Sequence, residues 1–573
     1  MEVSEQSQGL SASKLSSPGS PKENKKNSSL TIIAAAFVAA VILGVGLFIY
    51  YNSQFSSNSQ NSANQSVAAP ETRLEKEEVR IGLVAGLGSG VAENFYPFYD
   101  LDQPGHMVTA QYLEGLVNLG PDFKIQPLLA KSWRNVDDNT WIFNLRQGVT
   151  FSNGASFSAT DVKFTFDVIN QNATSWASAQ YLQTIKEVKV VDPYTIEIVT
   201  SKPDRSLLYK LSYLFILSSK TFKPTDVTTA TIGTGPYLLT SGKRDTSGVL
   251  TRNETYWGER AKVKKVTYKV VSDDTERTNA LLNKELDFIE YVPGDSLAQL
   301  KTNPNYQVVV NPDLYVWYLG FDTQRDKTPY VNTDTNPFKN LKVRQAIYSA
   351  INIDELIQNT YKGFAEAETQ LVTKYIFGFN PDIKRYPYDP VKAKKLLAEA
   401  GYPNGFKVNI DVGHPRIGEY AKEVVRQLAK IGIQAEVKVR RKGVTSAEDA
   451  AKYKAGDTSM FMGSWGAEDA DAQSGLAAIL HGVTEDNKYG SYNFGHFKDA
   501  VVDGLIEQAA AETNQQKRLS LMQQAMKTAI VDDVAIVPLN VDGVGFAFTK
   551  DISWKPRADN AERAYEFAGK AVQ

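Results

Sequence analysis

The sequence predicts an α/β body carried on a single membrane-spanning helix. Two observations point there. Segments with strand alternation are interleaved with amphipathic, capped helices, twice in the order strand–helix–strand. Ahead of them lies one charge-free apolar run of bilayer length, and no comparable run follows.

The apolar run is "LTIIAAAFVAAVILGVGLFIYY", residues 30–51. Lys22, Lys25 and Lys26 lie just before it, which assigns residues 1–29 to the cytoplasm by the positive-inside bias. Tyr50 and Tyr51 stand where interfacial aromatics belong. A cleaved signal peptide would have a shorter apolar part and a small-x-small site directly after it. "NSQFSSNSQNSANQSVAAP" follows instead, so an uncleaved anchor is expected. Residues 52–78 open as a Ser/Asn/Gln-rich tract too poor in large apolar groups to pack. They are expected to form a flexible stalk on the extracytoplasmic side.

The body opens with a short strand, "VRIGLV". In "TWIFNLRQGVTFSNG", Trp141, Phe143 and Leu145 alternate with polar residues, and Asn153 and Gly154 mark a turn. "SATDVKFTFDVIN" reads as a helix capped by Ser158 with Asp161 three residues on. Val162, Phe166 and Ile169 form its apolar stripe. "IKEVKVVDPYTIEIVT" reads as a hairpin through Asp192 and Pro193. Together residues 109–231 look like a separate small domain. "IGTGPYLLTSG" lacks the lysine of a phosphate loop and reads as a rigid turn where the chain re-enters a neighbouring domain. "VKKVTYKVVSDDTERTNALLNKELDFIEYV" then gives strand, helix, strand, with Leu281 and Leu282 as core positions. "VRQAIYSAINIDELI" puts Val343, Ile347, Ala350 and Ile351 on one face. "YDPVKAKKLLAEAGYPNG" has Asp389 as cap, Pro390 in the first turn and Gly401 as stop. "FKVNIDV", "EYAKEVVRQLAKIG" and "IQAEVKVRR" repeat strand, helix, strand. Val424, Val425, Leu428 and Ile431 face the sheet and Gly432 ends the helix.

Composition excludes several classes. The absence of cysteine rules out disulfides, thiolate metal sites and a lipid-bearing cysteine. His106, His414, His481 and His496 are the only histidines, and no two are close in sequence. The formal net charge of -2, with both signs mixed throughout, gives no nucleic-acid surface. No G-x-S-x-G, H-E-x-x-H or P-loop motif is present, so neither an enzyme nor a cofactor is expected.

One loop gathers chemistry. In "MFMGSWGAEDADAQSG", a strand candidate ends at Trp465 and is followed by Glu468, Asp469 and Asp471. Ligands of open α/β sheets sit beyond the carboxyl ends of strands. A solvated loop is the bland reading. A glycosidase pair, a calcium site and a cation pocket walled by the indole are the functional ones. The spacing lacks the donor loop of a calcium hand. A carboxylate facing an ammonium in a partly dry cleft requires no catalytic partner.

Several stretches resemble the peptide/nickel class of solute-binding proteins of ABC importers (family 5), which includes oligopeptide and dipeptide receptors. These are "LEGLVNLGPDFKIQPLLAKSWRNVDDNTWIFNLRQGVTFSNGASFSATDVKFTFD", "GTGPYLL", "LTRNETYWG", "NPFKNLKVRQAIYSAINIDELI" and "RLSLMQQAMKTAIVDDVAIVPLN". The resemblance covers almost the whole body. It implies a two-lobed periplasmic-binding-protein-like fold of type II. Residues 79–108 and 232–313 would form lobe I, 109–231 a domain inserted into it, 314–536 lobe II, and 537–573 the return to lobe I. It further implies a monomeric extracytoplasmic receptor that closes on a short peptide. Its partners would be permease subunits and, through them, ATPase subunits, with the lipid bilayer met through residues 30–51.

The family's tryptophan, acid three positions on and acid six positions on are matched by Trp465, Glu468 and Asp471. By position Glu468 would grip the ligand's α-ammonium, a glutamate in place of the usual aspartate. Asp469 falls where the pattern has no acid. The proline that usually follows is Ala472 here, which is expected to loosen the loop. Asn493, in the next similar segment, either shapes the pocket or holds a turn. A nickel chelate, an opine or an oligosaccharide remain alternative cargoes, and an anchored solute sensor an alternative role. His414, beside Arg416, is the one residue that suggests a metal.

Overall fold

The computed structural model describes residues 73–84 and 103–571, apart from 175, 225, 244, 245, 414, 440–445, 468 and 487. The expected anchor at 30–51, His414 and Glu468 therefore lie outside the described residues. No described helix is long and apolar enough to cross a membrane.

Two long antiparallel strands, Tyr306–Phe321 and Ile536–Thr549, organise the body. Beyond one side of the pair come Phe288–Ile289 and the parallel strands Lys76–Leu83 and Val263–Val270, then Ser247–Arg252 and Tyr237–Lys243. Beyond the other come Met460–Gly466 and, parallel to it, Lys407–Val412 and Gln434–Val439. All belong to one 11-stranded sheet, in which Ala365–Ala367 pairs off the main path. The two lobes are thus two α/β layers sharing the strands that cross between them.

The crossing pair is not uniform. Residues 306–312 pair with 543–549, and residues 318–320 with 536–538, with register shifts on both sides of Val316. Pro312 has no N–H to give a ladder, and irregularities of this kind bend a strand locally.

Each lobe has its own core. Val79, Ile81 and Leu83 are fully buried and pack with Val263, Tyr268, Phe288 and Phe546. Trp554 stands edge-on to Phe288 at 4.9 Å between ring centroids. The second core gathers Val343, Ile347, Ala350, Ile351, Ile410, Val424, Leu428 and Met460. The apolar stripes expected of those two helices are therefore its walls. Val425 is only partly buried at the edge, as Leu282 is beside the fully buried Leu281. A separate sheet, in the order Ala130–Asn135, Thr140–Leu145, Thr195–Thr200 and Ile185–Asp192, packs against the helix Ala159–Gln171. Trp141, Phe143 and Leu145 are its buried face. Burial of a side chain such as Phe143 contributes about 1.5–3 kcal/mol. Asp161 accepts the Ser158 backbone N–H at 2.8 Å and also holds Ser219 through its N–H and hydroxyl, so the helix start anchors a distant segment.

The re-entry turn is set by close backbone approach. The Gly235 N–H donates to the Tyr112 carbonyl at 3.1 Å, and a Cβ placed on Gly233 would stand 1.9 Å from that oxygen. Gly504 lies within the helix Ala500–Ala511, and its added Cβ would meet only Gln508 Nε2 at an ordinary 3.8 Å. The two sites carry opposite expectations. Gly233→Ala should destabilise the body by about 3 kcal/mol through overpacking. Gly504→Ala should stabilise it by about 0.5–1 kcal/mol through helix propensity. Scanning calorimetry of both variants beside the parent checks this. Equal melting of parent and Gly233→Ala would refute the backbone-contact account.

Candidate ligand-binding site

The strand Met460–Gly466 is interior to the sheet, antiparallel to Tyr306–Phe321 and parallel to Lys407–Val412. Met460, Phe461 and Met462 are buried, and burial loosens from Gly463 onward as the strand leaves the core. Its carboxyl end delivers Trp465, which pairs with Val316. The indole packs edge-on to Tyr492, with centroids 5.9 Å apart, and lies over Gly475. A side chain at Gly475 would collide with Nε1 at 2.8 Å.

The loop after the strand is tightly held. Ala470 has φ +53°, a left-handed conformation that costs an alanine about 1–2 kcal/mol. Two backbone bonds fix it against residue 377. The Phe377 N–H donates to the Ala470 carbonyl at 3.0 Å, and the Ala472 N–H donates to the Phe377 carbonyl at 2.8 Å. The expectation that Ala472 loosens the loop is therefore reversed. A proline there has no N–H to give Phe377, whereas alanine makes the bond and is itself fully buried.

The acids divide the work. Asp471 accepts the Gln473 N–H at 2.9 Å, capping the short turn Ala472–Gly475. Both its oxygens also hold Arg518, at 2.5 and 2.9 Å, in a bidentate pair. Arg518 comes from the helix Gln515–Lys527, and its guanidinium lies 5.6 Å from the Phe377 ring centroid. The charge of Asp471 is thus met inside the protein. Asp469 has no such cation among the described residues. Its Oδ1 accepts the Ser474 hydroxyl at 2.9 Å. Burial, with the charge of Asp471 adding to it, pushes its carboxyl up to about 6.

Aromatic residues of the smaller sheet unit lie close by. Tyr209, in the helix Leu207–Ser212, is buried, with its ring tilted against Phe123 at 5.7 Å and Tyr213 at 5.8 Å between centroids. Burial first, then Tyr213, then the charges of Asp469 and Asp559 raise its hydroxyl well above the usual range. One apolar cluster joins Leu119, Phe123 and Tyr209 to Leu476, Ile479 and Leu480 of the second lobe. The loop therefore stands where the two lobes meet.

Asn493 is fully occupied by its own turn. Its amide donates to the carbonyls of His481 and Phe497, at 2.8 and 2.7 Å, and accepts the Phe497 N–H at 3.0 Å. Of the two readings offered by the sequence, these bonds match the turn. The structure thus sets Trp465, near the carboxyl end of the strand, just ahead of the loop that holds Asp469 and Asp471, and ties Asn493 into its own turn. Tyr209, Phe377 and Arg518 were not marked in the sequence. Each is far from the loop in sequence, and no local pattern points to it.

Replacing Ala472 by Pro separates the two accounts of this loop. The bond to Phe377 disappears and leaves its carbonyl short of a donor, so stability should fall by about 1–2 kcal/mol. A calorimetric rise in melting temperature would restore the looser-loop reading.

Comparison with known proteins places this geometry. The model of bacterial extracellular solute-binding proteins, family 5, matches residues 124–487. The chain is 28% identical over 561 residues to heme-binding protein A of Haemophilus influenzae, covering 91% of this chain and 95% of that protein. It is 27% identical over 466 residues to the glutathione-binding protein GsiB of Salmonella typhi, covering 80% and 88%. The periplasmic binding protein DppA of Helicobacter pylori, solved with the peptide STSA, superposes with a TM-score of 0.65 at 26% identity, covering 87% and 99%. This chain belongs to the bacterial extracellular solute-binding proteins of family 5.

Proposed function

We propose that this chain is the cargo receptor of an ABC importer, tethered by residues 30–51 with its body on the extracytoplasmic side. It captures short peptides between its lobes and hands them to a permease without altering them. The observation that carries this reading is the unequal state of the two described acids. Asp471 is neutralised by Arg518 and holds the loop. Asp469, two residues away, is a half-buried carboxyl with no cation among the described residues. An acid in that state favours the arrival of a ligand's positive charge, which removes the penalty of burying it alone.

In this reading Glu468 takes the ligand's α-ammonium, as the family pattern has it. Asp469 reinforces the negative field and Trp465 forms one wall. Asp471 and Asn493 position the loop and the turn beside it. The names of the relatives agree with an amine-bearing cargo in two cases, since glutathione and the peptide STSA both carry a free ammonium. Haem does not, and it is the second cargo class to test.

Calorimetry with a free-amino peptide and its N-acetylated form tests the anchor. Glu468→Gln should weaken the free-amino peptide about thirty-fold or more, the effect of losing a charged partner worth about 2–5 kcal/mol. The acetylated form should bind the parent poorly and change little. If the variant keeps the parent's preference between the two, the acid loop does not read the ammonium. Mass analysis of small molecules that copurify with the full chain decides between peptide, haem and other solutes. Membrane fractionation with N-terminal sequencing tests the tether, and a chain that starts within residues 52–78 would overturn it.

Protons add a second test. The folded carboxyl of Asp469 titrates near 6, above its ordinary value near 4. The free protein gains stability from this group below the ordinary value and loses it as pH rises through 6. Asp469→Asn should therefore help stability more at pH 7 than at pH 4. Cargo binding runs the other way, because only the ionised form attracts an ammonium. Affinity for the free-amino peptide should fall between pH 7 and pH 5, and less so in Asp469→Asn.

A further inference from the structure

In the first lobe the strands Lys76–Leu83 and Phe288–Ile289 run parallel and end side by side at Val84 and Glu290. The Glu290 carboxyl accepts the Val84 N–H at 3.0 Å and so joins the two ends. Against it lies Glu562, from the C-terminal segment 557–566, and the two carboxyls come within hydrogen-bonding reach of each other. Glu562 is fully buried and Glu290 is 5% exposed. The same segment reaches the crossing strands. Asn560 donates to the Pro312 carbonyl at 3.0 Å, and Asn311 donates to the Asn560 side chain at 2.7 Å and to the Arg557 carbonyl at 2.9 Å. These bonds fall where the regular ladder ends, beside its first register shift.

The two acids are unequally supplied with donors. Glu290 has the Val84 N–H, whereas neither oxygen of Glu562 accepts a hydrogen bond from an N–H or hydroxyl of any described residue. Among the described residues no cation pairs with either acid. Arg277, fully buried, favours the charge of Glu290 but donates to Asp274 at 2.6 Å and to the carbonyls of Val271, Glu290 and Tyr291. Arg557 holds Asp559 at 2.9 Å and Glu566 at 2.7 Å, and Arg563 is opposed by Glu566. Of the remaining groups, Tyr268 is a buried phenol raised well above its usual range, and Asp559 adds negative charge. His106, beside Arg563, is kept neutral by burial, which pushes it down to about 3.

Two carboxylates in such a place cannot both ionise, and one proton between them turns repulsion into a charge-assisted hydrogen bond. The donors decide the roles. Glu290, which accepts a backbone N–H and feels Arg277, is the carboxylate. Glu562, which receives no N–H or hydroxyl, is the acid and donates to it. Burial raises both groups, and the charge of Glu290 raises Glu562 further, well above the usual carboxyl range. We infer that Glu290 and Glu562 share one proton and form a clasp, which fastens the C-terminal segment to the first lobe beside the crossing strands and opens as pH rises. A carboxyl raised in the folded chain contributes its stability in full below the ordinary value near 4 and loses it as pH rises through the raised value. The clasp is therefore closed in acid and weakens toward alkaline pH.

Scanning calorimetry of the full chain from about pH 6 to about pH 9 compares the parent with Glu562→Gln. The amide keeps the shape, can donate to Glu290 and cannot ionise. Asp469 and the other raised acids are common to both proteins, so the difference between the two curves belongs to the pair. Across this range the parent's melting temperature should fall by about 2 °C or more beyond the fall in Glu562→Gln. Hydrogen exchange at matched pH should show residues 557–566 opening about tenfold more often in the parent at the alkaline end. Infrared spectroscopy near neutral pH reads the proton itself, as a protonated-carboxyl band present in the parent and lost in Glu562→Gln. Parallel melting curves, equal exchange of residues 557–566 at alkaline pH, or no band lost on substitution each overturn the proposal. So does a Glu562→Gln chain that fails to fold, because an amide reproduces the donor of the acid form.

Discussion

Everything in the body depends on the pairing of the two crossing strands. Each lobe builds outward from the same pair, so neither sheet half has an independent centre. The ladder between them is regular on each side and broken around Val316. Packed lobes resist deformation, while a strand with an interrupted ladder bends at low cost. Relative motion of the lobes would thereby be concentrated at a few residues, as in hinged closure generally. Val316 also pairs with Trp465, so the strand that carries the acid loop is fastened at the point of bending. A rotation there would change the approach of the loop to Tyr209 and shift the apolar cluster that joins Tyr209 to Leu476 and Ile479.

Residues 470–472 of the loop are held at several points. Its left-handed residue, its two bonds to Phe377 and its bidentate pair with Arg518 each fix a different part. Strain at Ala470 persists only because those contacts over-determine the backbone. A ligand meeting such a loop has little chain entropy to remove, which favours affinity from few contacts. The same scaffolding explains why two acids so close behave differently. Asp471 is drawn onto Arg518, and its charge in turn disfavours ionisation of Asp469.

Much of the fold was legible because its signals are local. Asp389 caps its helix through the Lys392 N–H at 2.8 Å, with Pro390 in the first turn, and Gly401 and Gly432 take φ +94° and +95° at the stops. Periodicity found the buried faces for the same reason, since neighbours along an element share one environment. The site was legible only in part. Trp465, Asp469 and Asp471 fall in one short segment, and a strand end with acids is readable. The partner that decides what Asp471 does is 47 residues away, and the carbonyl that reverses the reading of Ala472 belongs to Phe377. Asn493 shows the same limit. An asparagine in a polar segment does not say whether its amide faces a ligand or closes a turn on Phe497.

In the proposed function the division between Asp469 and Asp471 would also connect cargo charge to protons. An acid held near 6 is partly protonated in the free protein under mildly acid conditions. An ammonium arriving nearby would favour the ionised form and lower that value, so capture of an amine-bearing cargo there would displace a proton. On the proposed reading the proton would compete with the cargo for the same carboxyl, and binding would weaken where protons are abundant. A fully exposed acid would give stronger discrimination against protons but a weaker field, because water screens it. A fully buried one would stay neutral and attract nothing. The half-buried position of Asp469 lies between these limits, and the bond from Ser474 favours its charged form without neutralising it.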